Sequence, residues 1–259
     1  MPALYNFSMT EVLAFALVLL RMAGFVVTMP IFGTANVPVQ VKILFAFIMT
    51  IVIFPQIGWK AMSMDIDSLM IMTLAAKEVF VGLVFGYLAR LFFISVTMAG
   101  QIMSVSLGLS AAQLFDPMMG ESSTSFDQFF VILASIFFLA INGHHIMIAG
   151  IFDSFTLVPL NKIGLSFTPF GGFGIIAEQI MAIAVKMSAP ILISILFMNV
   201  AIAVIGRAVP QINILITSLP LNILAGFFIL FLALPLLLWQ MHGLVNVTAD
   251  ELFRFVKAL

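Results

Sequence analysis

Long apolar segments, interrupted by proline, glycine and isolated charges, dominate the pattern along this chain. The first segment covers about 12–32. Ser8 precedes it as a helix N-cap, and Glu11 three residues later completes a capping box. The second segment covers about 39–58. Because roughly 20 apolar residues cross the hydrocarbon core of a bilayer as a helix, both segments are predicted to be membrane-type helices.

The third segment is unusually long, since no strong polar break separates Leu69 from Phe115. One helix of that length would extend roughly 70 Å, more than twice the thickness of the bilayer core. Gly82 and Gly86 form a small-xxx-small pair that would allow close helix contact. With 17 glycines in an apolar chain, such a pair is a weak signal. The pattern predicts either two segments joined by a tight turn or one long helix that leaves the membrane plane.

Three further apolar segments are predicted at about 129–158, 175–206 and 212–241, with Pro190 inside the second of them. The tail that follows has helical apolar spacing and is predicted to be a short helix. No segment shows the two-residue alternation that is typical of strands. We therefore predict an all-α fold, a polytopic membrane-type helical protein with long, kinked helical hairpins.

Composition narrows the class of protein. The chain is 63% hydrophobic and only 8% charged, whereas soluble domains are about 25% charged. Its net charge of −1 gives no electrostatic case for a nucleic-acid partner. The absence of cysteine excludes thiolate metal sites, disulfides and a cysteine nucleophile. Membrane lipid is thus an expected contact, and nucleic acid is not.

The few charges fall largely within or beside the apolar segments, and Arg21 stands in the middle of the first one. A charge at the centre of a membrane helix costs about 3 kcal/mol on insertion scales and is a functional candidate by default. No dense cluster of carboxylates lies near mid-span, as an ion-coupling site would require. We favour structural ion pairs, buried between helices or between subunits. The residues predicted to take part are Lys77, Glu78, Arg90, Lys186 and Arg207.

A catalytic alternative rests on Gly108-Leu109-Ser110-Ala111, which resembles the G-x-S motif of intramembrane serine proteases. His144 or His145 could then act as the base. The motif is short, and packing of small residues between helices is the favoured interpretation. Adjacent histidines on a helix point about 100° apart and cannot share a metal on one face. We therefore predict no enzyme activity, no metal and no cofactor.

The most polar internal segment, 113–128, also carries large apolar residues, among them Phe115 and the pair Met118-Met119. Methionine is flexible and suits a surface that must repack around varied contents. The residues alone leave two interpretations open, a gate or an ordinary loop with hydrophobic anchors.

Several short motifs, taken in order, resemble one known family. They are Pro30-Ile31-Phe32-Gly33, Val37-Pro38, Lys42, Pro55, Ala111-Ala112-Gln113-Leu114-Phe115-Asp116-Pro117, Asn142-Gly143-His144-His145, Ser154-Phe155, Pro159, Ala189-Pro190, Arg207-Ala208-Val209-Pro210-Gln211-Ile212-Asn213 and Pro220. Together they resemble the FliR family, the export-gate component of bacterial flagellar type III secretion, called SctT in injectisomes. Each motif is weak alone, but their order and spacing over nearly the whole chain are specific.

The resemblance implies a structural, pore-forming subunit of the flagellar protein export gate in the bacterial inner membrane, within the flagellar basal body. FliP-like and FliQ-like subunits, and an FlhB-like subunit, would be its partners, and unfolded flagellar subunits would pass through the pore. Residues 1–174 would form a FliP-like part, 175–245 a FliQ-like helical hairpin and 246–259 a tail helix.

The resemblance also implies roles for individual residues. A central loop at about 108–122 would plug the closed pore, and its pore and plug residues would be Gly108, Gln113, Leu114, Phe115, Asp116, Pro117, Met118, Met119 and Gly120. A turn containing Pro210, Gln211 and Asn213 would pack on a FliQ-like neighbour. A small-solute secondary transporter and an intramembrane serine protease remain the alternative functions. The choice between flagellar and virulence secretion also remains open.

Overall fold

The computed structural model describes residues 8–34, 37–57, 68–109, 125–161, 173–209, 211 and 213–258. Within these ranges the chain forms helices and no strand. The helices are α1 (Met9–Thr28), α2 (Val39–Ile53) with a 3-10 turn at Phe54–Gln56, α3 (Ser68–Leu107), α4 (Ser125–Ala140), α5 (Gly143–Leu157), α6 (Phe173–Ala208) and α7 (Ile214–Ala258). The predicted all-α fold is confirmed.

Five of these helices are long and apolar enough to cross a membrane: α1, α2 with its 3-10 turn, α3, α6 and α7. The number becomes six if α4 and α5, which a short break separates, count as one span. The prediction of a polytopic membrane-type protein is confirmed by these lengths and by their composition.

The first helix begins as its sequence predicts. Ser8 Oγ accepts a hydrogen bond from the backbone N–H of Glu11, and Glu11 Oε2 accepts one from the backbone N–H of Ser8, both at 3.2 Å. This reciprocal capping box satisfies two backbone donors that would otherwise lack partners at the helix start.

The third apolar segment is one continuous helix of 40 residues. At 1.5 Å per residue it extends about 60 Å. Of the two predicted arrangements, the long helix is therefore the one observed. Its glycines do not interrupt the backbone ladder, because glycine weakens a helix by only about 1 kcal/mol relative to alanine and packing outweighs this.

The structure divides two other segments differently from the sequence analysis. The segment at 129–158 is broken between α4 and α5, where Asn142 adopts a left-handed φ of 57°. Asparagine tolerates this conformation, and Gly143 follows it. In contrast, the predicted tail helix continues α7 without a break, and Gly243, which separates the two predicted segments, is itself helical.

The chain forms two compact units, each assembled from separate stretches of sequence. The first contains Met1–Leu91, Asn142–Phe173 and Val247–Leu259; the second contains Phe92–Ile141 and Gly174–Asn246. The core of the first unit includes Met22, Phe25, Phe85 and Ile151. The core of the second unit includes Phe92, Met103, Phe138 and Leu237. The division into FliP-like and FliQ-like parts remains a prediction.

Candidate functional site

Within the first unit, α1 and α3 approach each other at backbone distance. A Cβ atom added to Gly82 would overlap the carbonyl oxygen of Arg21, and one added to Gly24 would lie 2.9 Å from that of Val79. A Cβ atom on Gly86 would lie 2.7 Å from the carbonyl oxygen of Phe25. Only glycine fits at such a close contact. The Gly82–Gly86 pair, a weak signal in the sequence, thus lies at a real helix crossing.

Arg21 lies beside this crossing and is fully buried. Its Nε is 2.5 Å from Glu78 Oε2 on α3. Its Nη1 donates to Ser154 Oγ on α5 at 3.1 Å, and its Nη2 donates to the carbonyl oxygen of Val158 at 2.8 Å. The guanidinium carbon also lies 4.1 Å from the centroid of the Phe155 ring, a cation–π geometry. One side chain therefore joins three helices.

Lys77 extends the same cluster toward the chain that leaves α5. Its Nζ lies 2.8 Å from Glu78 Oε1. It also donates to the carbonyl oxygens of Pro159 and Leu160 at 3.0 and 3.2 Å. Backbone carbonyls just beyond a helix end need such partners. We call Arg21, Lys77, Glu78 and Ser154 the buried charge cluster.

The buried charge cluster is suited to holding helices together. Its single carboxylate lies between two cations, and the remaining donors bind carbonyl and hydroxyl oxygens. Ser154 Oγ in turn donates to the carbonyl oxygen of Ile151 at 2.6 Å. Breaking such a buried pair is costly because it leaves a polar or charged group without a partner. The cluster therefore favours one arrangement of α1, α3 and α5 over arrangements that would separate its members.

The other charges predicted to pair in buried positions lie elsewhere. Arg90, Lys186 and Arg207 are exposed in the single chain. Their pairing thus remains a prediction about contacts between subunits. Arg21 was absent from the predicted set although its position in an apolar segment was visible, because its partners come from α3 and from the end of α5, far away in sequence.

The predicted plug begins where α3 ends. The backbone N–H of Gly108 bonds to the carbonyl of Val105 at 3.0 Å, and that of Leu109 bonds to Ser104 at 3.1 Å. This is a Schellman cap, with Gly108 at a left-handed φ of 80°. A Cβ atom at Gly108 would also lie 2.6 Å from Leu219 Cδ1. The other pore and plug residues, Gln113–Gly120, lie outside the described residues.

An apolar cavity of about 590 Å³ lies in the second unit near both ends of this loop. Leu109, at the start of the predicted plug, and Phe126, in the first turn of α4, both line the cavity. Phe227 completes part of the wall, with its ring centroid 5.8 Å from that of Phe126. The last described residue after α3 and the first turn of α4 therefore lie beside the same aromatic-lined space.

The predicted turn at 210–213 falls between two helices. α6 ends at Ala208 and α7 begins at Ile214, while Pro210 lies outside the described residues. Gln211 and Asn213 are exposed. The carbonyl oxygen of Asn213 accepts hydrogen bonds from Thr217 N at 3.1 Å and Thr217 Oγ1 at 2.9 Å, which starts α7.

The two histidines of the catalytic alternative stand at the first turn of α5. Their ring centroids are 4.1 Å apart, so the rings pack against each other. Ser110 lies outside the described residues.

Long apolar helices and a buried charge cluster define a helical membrane protein, and sequence comparison names its class. The chain belongs to the family of bacterial export proteins, family 1, whose model matches residues 12–247. Three similar relatives each carry the name flagellar biosynthetic protein FliR. The relative from Bacillus subtilis (strain 168) is 33% identical over 92% of this chain and 93% of its own length.

The relative from Caulobacter vibrioides is 30% identical over 86% of this chain and 89% of its own length. The relative from Aquifex aeolicus is 27% identical over 84% of this chain and 83% of its own length. The prediction of a FliR-family export protein is therefore confirmed.

Proposed function

We propose that this chain is a structural, pore-forming subunit of the flagellar type III protein export gate. It would lie in the bacterial inner membrane within the flagellar basal body, and unfolded flagellar subunits would pass through the pore that it helps to build. Its membership of a bacterial export family and its relatives' names support a part in flagellar export. We propose no catalytic step and no cofactor for this chain.

The observation that carries the shared-pore proposal is the excess of uncovered apolar helix. α6 and α7 contain 36 and 45 residues. They therefore extend about 54 and 68 Å, while the hydrocarbon core of a bilayer is about 30 Å thick. In an apolar stretch of 18 residues within each helix, only 17% and 22% of the residues, respectively, are buried in the single chain. Because lipid can cover only part of this surface, the remainder needs other protein.

The partners that we propose are FliP-like and FliQ-like subunits, together with an FlhB-like subunit. Residues 1–174 would take the place of a FliP-like subunit, and 175–245 that of a FliQ-like hairpin. In such an assembly the turn containing Gln211 and Asn213 would pack on a FliQ-like neighbour. Exposure of both residues in the single chain is compatible with this contact.

We further propose that residues 108–122 cross the closed pore, with Leu114, Phe115, Met118 and Met119 facing inward. A narrow ring of apolar side chains excludes water and ions by dewetting. The Schellman cap at Gly108 supports this proposal in one respect, since it ends α3 at the first residues of the segment.

The direct test of the proposed function is co-expression of the full chain with the FliP-like and FliQ-like proteins of the same bacterium. The mass of the purified complex, measured by native mass spectrometry, should show all three proteins in one particle. That particle should conduct ions in planar bilayers once the loop is removed. A chain that purifies without either partner and transports a small solute in vesicles would support the transporter alternative instead.

A further inference from the structure

Two asparagines hydrogen-bond each other between α6 and α7 in the second unit. Asn222 Nδ2 donates to Asn199 Oδ1 at 2.9 Å. Asn222 is only 9% exposed, so its amide depends on protein partners. The hydroxyls of Ser188 and Ser194, by contrast, donate to carbonyl oxygens of α6 itself and do not link the two helices. The asparagine pair therefore ties one position of α6 to one position of α7.

Asn222 lies on the face of α7 that packs against the C-terminal end of α3. Leu219, Asn222 and Gly226 follow the i, i+3, i+7 spacing of one helix face. Leu219 Cδ1 would lie 2.6 Å from a Cβ atom added to Gly108. A Cβ atom added to Gly226 would overlap Leu107 Cδ2 and lie 3.1 Å from Leu107 Cγ. The side chain of Leu107 thus fills the space that a larger residue at Gly226 would occupy.

Apolar packing alone gives α7 little reason to present this face. Leu224 and Phe228 are also large and apolar, and Leu224 is 73% exposed in the single chain. Turning α7 about its axis would therefore replace one apolar face by another. Lipid tails are as apolar as leucine, so no hydrophobic driving force between helices opposes such a turn within a bilayer.

The asparagine pair does distinguish the possible settings of α7. A shift of one residue turns a helix by about 100°, which would separate the two amides. Hydrocarbon offers no replacement partner, and an amide without one is costly there. In coiled coils a single buried asparagine fixes the register of paired helices for the same reason.

We propose that the hydrogen bond between Asn199 and Asn222 selects the rotational setting of α7 against α6, and that this setting presents Gly226 to Leu107 at the end of α3. The pair acts on specificity more than on stability, because replacing both partners of a hydrogen bond by apolar groups of the same shape is nearly neutral. The inference does not rest on the proposed function, since all of its contacts lie within one chain.

Two pairs of introduced cysteines report the setting of α7. The chain contains no cysteine, so each pair supplies the only two thiols. Leu107→Cys with Gly226→Cys is the contact pair, because these two positions already touch and a disulfide needs Cβ atoms about 3.5–4.5 Å apart. Leu107→Cys with Leu224→Cys is the turned pair, since two residues along a helix correspond to about 200° around its axis.

The experiment oxidises both pairs in membranes of cells that express the full chain with its partners. Remaining free thiols are counted from the mass added by alkylation. With both asparagines in place, the contact pair should oxidise and the turned pair should not. Asn199→Leu combined with Asn222→Leu should leave the yield of folded chain unchanged. It should lower the ratio of contact-pair to turned-pair oxidation rates by roughly threefold to tenfold, the range expected for an interhelical hydrogen bond in a membrane.

Asn246→Leu, at an exposed asparagine of α7, is the matched control and should keep the original ratio. An unchanged ratio in the double leucine variant would overturn the inference. Loss of folded chain in that variant would also overturn it, because the pair would then be needed for stability itself. So would a contact pair that stays reduced with both asparagines in place, since α7 would not meet the end of α3.

Failure of the inference can be told apart from failure of the proposed function. If the chain joins its partners and the double leucine variant behaves as Asn246→Leu does, only the role of the asparagine pair is wrong. If the chain joins no partner and the double variant still shifts the ratio, the proposed function is wrong and the inference is supported.

Discussion

Arg21 joins more elements than any other described side chain in the buried charge cluster. Its guanidinium donates hydrogen bonds to Glu78, Ser154 and the carbonyl oxygen of Val158, and a buried partner left unsatisfied costs about 1–3 kcal/mol. Lysine keeps the charge but not the planar fork that reaches Glu78, Ser154 and Val158 together. Arg21→Lys should therefore reduce the yield of folded chain and the thermal midpoint of the purified complex.

Arg254→Lys is the control for Arg21→Lys. Arg254 lies 3.2 Å from Glu251 in an exposed pair, and exposed pairs contribute about 0–1 kcal/mol. This variant should melt as the wild type does. If the complex with Arg21→Lys has the same thermal midpoint as the complex with Arg254→Lys, the buried charge cluster does not stabilise the packing of α1, α3 and α5.

Gly82 gives a second prediction at the scale of one residue. Gly82→Ala places a methyl group against the backbone of α1, where it cannot be accommodated without moving the helix. We expect a loss of about 1–3 kcal/mol in stability, the cost of overpacking a tight contact. Gly243→Ala in α7 meets no atom within 4 Å, so it should be neutral or slightly stabilising. Thermal melting of the complex with each variant measures this difference. Equal midpoints for Gly82→Ala and Gly243→Ala would contradict the close crossing of α1 and α3.

At the scale of elements, the loop between α3 and α4 carries the sharpest prediction. Deleting 110–120 should let the assembled complex leak small ions, because the proposed apolar barrier is lost. Conductance of the purified complex in planar bilayers measures this directly. Deleting 162–172, a segment of equal length outside the proposed plug, should not increase conductance. A complex lacking 110–120 that assembles and stays as tight as the intact one would show that the loop is not a plug.

Element type was readable from the sequence, but some boundaries were not. The capping box at Ser8 and the break at 209–213 follow from local chemistry, and both are found. Asn142 breaks a segment that was predicted as one, although Asn142-Gly143 is a turn dipeptide, because the apolar residues on both sides suggested a single span. The tail helix was predicted to be separate from the preceding segment because the chain becomes more polar there. The structure shows one helix, α7, because polar residues can also be helical.

The candidate site shows the same limit more strongly. Lys77 and Glu78 were visible as charges in an apolar helix, yet their partners are set by contacts between residues far apart in sequence. Ser154 hydrogen-bonds Arg21 across 133 positions of chain. Periodicity describes one helix at a time and cannot give this pairing.

At the scale of the whole molecule, the uncovered apolar surface predicts how the chain behaves alone. Expressed without partners and solubilised in detergent, it should aggregate or elute as a heterogeneous species, because α6 and α7 expose faces that protein would otherwise cover. Size-exclusion chromatography with light scattering measures this. The same chain co-expressed with its partners should elute as one defined particle. A monodisperse, heat-resistant monomer would argue against the shared assembly.

The arrangement of the two units along the chain determines when each unit can fold during synthesis. The first unit includes residues near both ends, and Leu252 on α7 packs beside Gly150 on α5. The ribosome must therefore translate almost the entire chain before the first unit has all its parts. Since domains that fold during synthesis normally finish from the N-terminal side, this unit cannot do so. The buried charge cluster has all its members once Val158 has been made, whereas the contact of α5 with Leu252 forms only when the last helix arrives.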